Sequence, residues 1–335
     1  MKDGKLFGNK EGVNQILPHC NRWAWDMYRK GKNNNWNPEE LPMVKDIQNW
    51  TNGSITDDEK LVIKRCLGFF AGSESLVGNN LVTMYTYIVD PECRQYMSRQ
   101  IAEECLHNDT IVYVCESLKL DHNEVYEAYE SIPSIKAKDD FLMSVTADLN
   151  AAQPDTTTLE GRRAVARAAF LYWIVCEGTF FFSGFAMLLA MKAKIPGIGQ
   201  QIEYTLRDES LHIQFGTAII VKIKEQYPDV FDDAFELELT EIMKSAVDLE
   251  IAYAKDCLPR GVLGLNSDLF VDYMHYIGNR RLEAVGFKHR FPSDNCPFDF
   301  LSEVQDLIKS KNFFESTVID YQHAGALVDD LDDSF

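Results

Sequence analysis

Apolar residues recur along this chain mostly at the three-to-four-residue spacing of buried helix faces, and no alternating strand pattern of useful length interrupts them. Thr56-Asp57-Asp58-Glu59 has the form of a capping box and predicts a helix running to about residue 89. Asp90-Pro91, a capping aspartate followed by proline at the first helical position, predicts a second helix to about residue 119. Asp121 opens a shorter one. Further helices are expected over 160–194, ending before Pro196, over 199–227, ending before Pro228, and over 233–257 and 265–286. Residues 1–20 read as a loose arm. Residues 21–55, rich in Asn, Pro and Trp, read as irregular structure with short helices. The pattern predicts an all-α fold.

The stretch 170–191 is apolar for about six helical turns, long enough to span a bilayer. Glu177 lies well inside it, where a charge is expensive in lipid. A helix apolar all round also suits the centre of a large bundle. Because no second span accompanies it, a buried helix and no membrane association are expected.

Composition narrows this picture. With 335 residues and 46% hydrophobic content, the chain can bury one large all-α domain. The net charge of −19 opposes binding to nucleic acid or to an anionic membrane. Eight scattered cysteines without a CxxC pair predict free thiols in a reducing compartment, the cytoplasm, and the N-terminus shows no apolar signal region. The last eleven residues, GALVDDLDDSF, carry four Asp and no basic residue. The expected organisation is one helical domain with an N-terminal arm over 1–310 and an acidic docking tail over 311–335.

Two Glu-x-x-His pairs, Glu104–His107 and Glu209–His212, place both side chains of each pair on one helical face, where each pair can reach one metal. The Glu104 face also carries Met97, Ile101 and Ile111 and should be buried. A buried carboxylate without a partner costs several kcal/mol, so a cation is its natural companion. Glu74 and Glu177 stand alone in apolar stretches, 30 residues before Glu104 and 32 before Glu209. Two helical hairpins would therefore bring six groups together, in the ligand pattern of dinuclear carboxylate bundles. Four carboxylates and two imidazoles suit Fe, Mn or a mixture rather than structural zinc. Asp272–His275 has the same spacing but reads as a surface or core pair. Gly197-Ile198-Gly199 lacks the third glycine of a dinucleotide fingerprint and is expected as a loop before a helix.

The stretches GFFAGSESLVGNN (68–80), EECLH (103–107), CEGTFFFSGF (176–185), RDESLHIQFG (207–216) and SAVDLEIAYAKDCLPRG (245–261) resemble the small subunit of class I ribonucleotide reductase over nearly the whole chain. The resemblance implies a ferritin-like bundle, a homodimer, a large-subunit partner and an oxidoreductase function in deoxyribonucleotide synthesis. It further implies that Trp36 connects through Asp208 to His107, and that Tyr321 passes the oxidising equivalent to the large subunit. Two departures stand out. Glu74 occupies a first-ligand position that is aspartate in the tyrosyl-radical forms. Ile111, four residues after His107, occupies the position of their radical tyrosine. Both resemble the manganese–iron (class Ic) subgroup known from chlamydial proteins, although that subgroup usually has phenylalanine where Ile111 stands. In that subgroup an O2-activated Mn/Fe pair stores the oxidising equivalent as Mn(IV)/Fe(III), and a tyrosine matching Tyr204 helps deliver an electron during activation. Phe181, one turn after Glu177, is expected to line the metal cavity. Fe/Fe and Mn/Mn loading remain open, as does a ligand-binding oxidase or monooxygenase of the same fold. Ferritin-like iron storage is a third reading.

Overall fold

Side chains that accept from the first free backbone amides set where half of the α-helices begin. The structure, a computed structural model, describes residues 4–8 and 13–301, with the backbone alone for 145–152. The chain divides into two compact units, Met1–Asn295 and Cys296–Phe335, and all the helices named here lie in the first. The expected boundary at residue 310, the acidic tail and Tyr321 fall outside the described residues.

Two short helices, α1 (Arg22–Asn33) and α2 (Val44–Thr51), lie in the region expected to hold irregular structure with short helices. The capping box then forms as expected. Thr56 accepts from the Glu59 amide, Glu59 accepts from the Thr56 amide, and α3 (Asp57–Tyr87) follows. Asp90 accepts from the Cys93 amide and opens α4 (Pro91–Leu118). Asp121 caps α5 (His122–Tyr126). Next come α6 (Ala128–Ser131) and α7 (Pro133–Ala152). No pattern had marked α7, because proline is its only start signal and Ile132 offers no capping side chain.

The helix expected over 160–194 is three elements. α8 (Leu159–Ala169) widens into a π-helix (Phe170–Phe180), and α9 (Phe182–Ala190) follows. This run is long and apolar enough to cross a membrane, but 94% of its most apolar window is buried inside the protein. It is the central helix of a bundle. α10 (Pro196–Gln226) begins earlier than expected, and the predicted Gly197–Gly199 loop is its first turn. Pro196 starts this helix instead of ending a loop, because proline is tolerated at the first helical position. Asp46 of α2 accepts from the Gly197 and Ile198 amides, at 2.9 and 3.0 Å, and so occupies the end where an anion would otherwise bind. α11 (Asp233–Cys257) and α12 (Ser267–Ala284) complete the chain order. No strand occurs among the described residues apart from an isolated bridge between Val262 and Leu265.

α3 packs along α4 across a three-residue turn, and the π-helix packs along α10. The second approach is very close. A Cβ at Gly216 would fall 2.1 Å from the Trp173 Cβ, so only glycine admits the indole there. The two pairs also touch each other, α3 against the π-helix and α4 against α10, and enclose one core. Within the N-terminal arm, residues 13–20 are mostly exposed, but residues 4–8 are tied to the bundle. Leu6 and Phe7 are buried. The Leu6 carbonyl accepts from the Val89 amide at 2.8 Å, and its amide donates to Gln226 Oε1 at 3.0 Å.

Candidate metal centre

The capping signals fix the ends of α3 and α4, and helical periodicity then determines which side chains face the core. Glu74 comes from α3, Glu104 and His107 from α4, Glu177 from the π-helix, and Glu209 and His212 from α10. All six are at most 2% exposed. The face shared with Glu104 is buried at Met97 and Ile111, while Ile101 is half-buried.

Around His107, Nδ1 lies 3.6 Å from Glu74 Oε2, 3.4 Å from Glu104 Oε2 and 3.1 Å from Glu209 Oε1. Around His212, Nδ1 lies 3.2 Å from Glu104 Oε1, 3.7 Å from Glu177 Oε2 and 3.4 Å from Glu209 Oε2. Glu104 and Glu209 thus turn one oxygen toward each imidazole, and Glu74 and Glu177 each face only one. The sequence had assigned each Glu-x-x-His pair to its own metal; the structure has both of these glutamates facing both rings. The potential ligand atoms of Glu74, Glu104, His107 and Glu209 lie within 4.8 Å of one another, as do those of Glu104, Glu177 and His212.

These residues fit a pair of cations. Glu74 Oε2, Glu104 Oε2, Glu177 Oε2, both Glu209 oxygens and the Nδ1 atoms of both histidines are buried without a well-formed hydrogen bond. Orphaned buried groups of this kind are rare unless something absent from the protein part completes them. Burial holds Glu74 and Glu177 well above the usual carboxylate range. Burial pulls both imidazoles down, but the surrounding carboxylates outweigh it and hold them well above the usual histidine range. The site attracts positive charge, and two divalent cations would balance its four carboxylates.

Outside the six, a second ring of groups orients the ligands. Asp208 Oδ2 accepts from Trp36 Nε1 at 2.8 Å and lies 3.6 Å from His107 Nε2, which makes no hydrogen bond of its own. Arg207 donates to Asp208 Oδ1. Tyr204, half-buried, tilts against Trp36 with ring centroids 5.4 Å apart. Ile111 is buried one turn after His107. Phe181 is fully buried and stands edge-on to Phe69 and Phe70 at 5.9 and 5.6 Å. Asp272 is exposed and His275 stacks on Phe291, apart from the six.

Sequence reasoning missed two contributors, Glu103 and Gln100. Glu103 Oε2 lies 2.9 Å from His212 Nε2, and its other oxygen accepts from Arg99 Nε at 2.8 Å. Gln100 donates to Glu177 Oε1 at 2.9 Å and accepts from Trp173 Nε1 at 3.1 Å. A signal for Glu103 did exist. An acid precedes the glutamate of each Glu-x-x-His pair, Glu103 before Glu104 and Asp208 before Glu209, and each contacts the histidine of the opposite helix.

A helical bundle presenting four glutamates and two histidines inward, each imidazole backed by a second carboxylate, defines a dinuclear metal-carboxylate protein. The sequence matches the family described as ribonucleotide reductase, small chain, over residues 13–297. It is 46% identical over 329 residues to ribonucleoside-diphosphate reductase subunit beta of Chlamydia pneumoniae, covering 97% of this chain and 95% of that one. Against subunit M2 of Danio rerio the identity is 31%, covering 96% and 78%. Among solved structures, the R2 subunit from Clostridium botulinum superposes with a TM-score of 0.82 at 24% identity, covering 89% of this chain and 93% of that one. An R2-like ligand-binding oxidase shares the fold with a TM-score of 0.68 at 20% identity, covering 83% and 99%. The chain belongs to the class I ribonucleotide reductase small-subunit family. It is therefore a subunit of ribonucleoside-diphosphate reductase, an oxidoreductase, and works with a large subunit.

Proposed function

We propose that this chain is a small subunit of the manganese–iron, tyrosyl-radical-less (class Ic) type, and that Glu74, Glu104, His107, Glu177, Glu209 and His212 hold the metal pair. When bound, such a pair, charged by O2, supplies the one-electron oxidising equivalent that starts ribonucleotide reduction in the large subunit. The observation that carries the subtype is Ile111: the side chain buried one turn after His107 is aliphatic and has no ring to oxidise. Glu74, a glutamate at the first-ligand position, points the same way. Carboxylate and imidazole donors suit either metal. The R2-like oxidase that shares this fold has been reconstituted with a Mn/Fe cofactor.

In this reading the protein orients, insulates and connects. Glu103 holds the His212 ring through Nε2, which leaves Nδ1 to face the metal, and Asp208 stands 3.6 Å from Nε2 of His107 on the other half. Phe69, Phe70 and Phe181 form an apolar wall that keeps water out. Trp36, hydrogen-bonded to Asp208, carries the oxidising equivalent outward to Tyr321, and Tyr204 beside it delivers an electron during activation. The chain acts as a homodimer, and the R2-type fold includes a protein solved as a homodimer. Its eight free cysteines suit the reducing cytoplasm.

The test is metal analysis with electron resonance after exposure of Mn/Fe-supplied protein to O2. The expected result is one Mn and one Fe per chain and no persistent tyrosyl signal. Two irons per chain with a stable tyrosyl radical would refute the subtype. Oxidation of an added substrate without any large subunit would instead favour an oxidase.

A further inference from the structure

Glu177 differs from the other five groups in its backbone. It sits in the π-helix, whose wide turns leave carbonyls without regular partners where the chain returns to α geometry. Thr179 Oγ1 donates to the Ile174 carbonyl, five residues back. At the exit, the Gly178 carbonyl accepts from Arg281 Nε at 2.6 Å, and the Phe180 carbonyl accepts from Lys138 Nζ at 3.1 Å. Neither cation belongs to the ligand-bearing helices. Lys138 comes from α7 and Arg281 from α12.

Both cations are held in place by further groups. Lys138 Nζ pairs with Glu250 Oε2 of α11 at 2.5 Å, and the other Glu250 oxygen accepts from Ser183 Oγ, one turn beyond the π-helix. The ammonium also lies over the rings of Phe69 and Tyr253, 3.3 and 4.0 Å from their centroids. Arg281 lies over the Phe182 ring at 4.5 Å. A Cβ on Gly178 would stand 3.1 Å from Arg281 Nε, so glycine leaves room for the guanidinium. Lys138 and Glu250 are fully buried, and Arg281 is 9% exposed. Burying ions in a core rarely gains net stability over an apolar packing of the same volume. Their use at the Gly178 and Phe180 carbonyls, just past Glu177, therefore indicates a role in geometry.

We propose that Lys138, with Glu250, and Arg281 are positioning residues: they clamp the exit of the π-helix and thereby hold Glu177 where it completes the His212 half of the metal pair. This rests on the six side chains binding two metals. The clamp bonds the carbonyls just past Glu177 and meets α3 at the Phe69 ring, five residues from Glu74, so its loss should weaken the metal at His212 far more than the other.

The experiment is a Mn(II) titration of metal-free full-length protein, followed by electron resonance of the free ion, with amide hydrogen exchange on the same samples. Lys138→Met/Glu250→Leu removes the buried pair together, leaving no lone charge, and Arg281→Met removes the second cation. Each variant should weaken one of the two sites roughly 10–100-fold, as outer groups around metal ligands typically do, and leave the other within about threefold. Exchange should quicken across 170–181 more than across α3 or α4. In a Glu177→Ala background the clamp variants should cost nothing more, and in a Glu74→Ala background they should keep their full effect. Equal weakening of both sites, unchanged affinities, or a full additional loss in the Glu177→Ala background would overturn the clamp. Wild-type protein that failed to take up two Mn(II) would instead overturn the metal reading on which the clamp rests.

Discussion

On the His107 half of the centre the outer carboxylate, Asp208, accepts from the Trp36 indole; on the His212 half its counterpart, Glu103, accepts from the Arg99 guanidinium. The ligands on the two sides come in the same order along the chain, a lone glutamate and then Glu-x-x-His. What lies behind them differs in chemistry. An indole can give up an electron at an accessible potential, whereas a guanidinium is a fixed cation with five donors. The backbones differ as well, regular α-helix under Glu74 and π-helix under Glu177. Asp208 also accepts from Arg207, so both outer carboxylates meet a guanidinium, and the indole is what sets the His107 half apart.

The comparison can be broken most decisively at the shared ligands. Glu104→Ala and Glu209→Ala each remove oxygens that face both imidazoles, so each should abolish binding of both metals, whereas Glu74→Ala and Glu177→Ala should each leave one. Metal content per chain measures this, and a Glu209→Ala protein that kept a full equivalent would remove the basis for two linked halves. Next in size is Trp36→Phe, which deletes the hydrogen bond to Asp208 and the oxidisable ring. Nucleotide reduction with the large subunit should be lost while metal content stays at the wild-type level; retained turnover would mean that the oxidising equivalent leaves by another route. Glu103→Gln should weaken metal binding roughly 10–100-fold through the His212 half alone, read by titration, because His212 loses its charged acceptor. The smallest effect belongs to Arg99→Met. Arg99 is partly exposed, so solvent takes over much of its pairing with Glu103, and affinity should fall by only about threefold. A larger loss for Arg99→Met than for Glu103→Gln would invert the proposed order of action.

Local signals made much of this legible. The caps at Thr56, Asp90 and Asp121 act within three residues of themselves, so the starts of α3, α4 and α5 could be read directly. The six inward groups were legible because isolated acids in apolar helices are conspicuous and their spacing recurs. The π-helix was not, since in a continuous apolar run nothing in residue type distinguishes a five-residue hydrogen-bond step from a four-residue one. The first turn of α10 was hidden because its capping carboxylate, Asp46, lies about 150 residues away in the sequence. The burial of Leu6 depends on Gln226 at the far end of α10 and has no local signature. Lys138 and Glu250 escaped for a related reason: each sits among other charged residues on its helix, and only the fold shows that these two face inward.

The tripeptide Asn34-Asn35-Trp36 ties these outer groups to one place. The Asn34 carbonyl accepts from Arg207, the Asn35 side chain accepts from Arg99 at 3.1 Å, and Trp36 donates to Asp208. Three consecutive residues are wired to both histidines, and Asn35 among them is open to solvent. A molecule that grips this loop would tug on both ions at once, and by thermodynamic reciprocity a change of charge at the ions would alter how tightly the loop is gripped. The chain thus carries a short external handle through which the state of a sealed interior could be felt from outside.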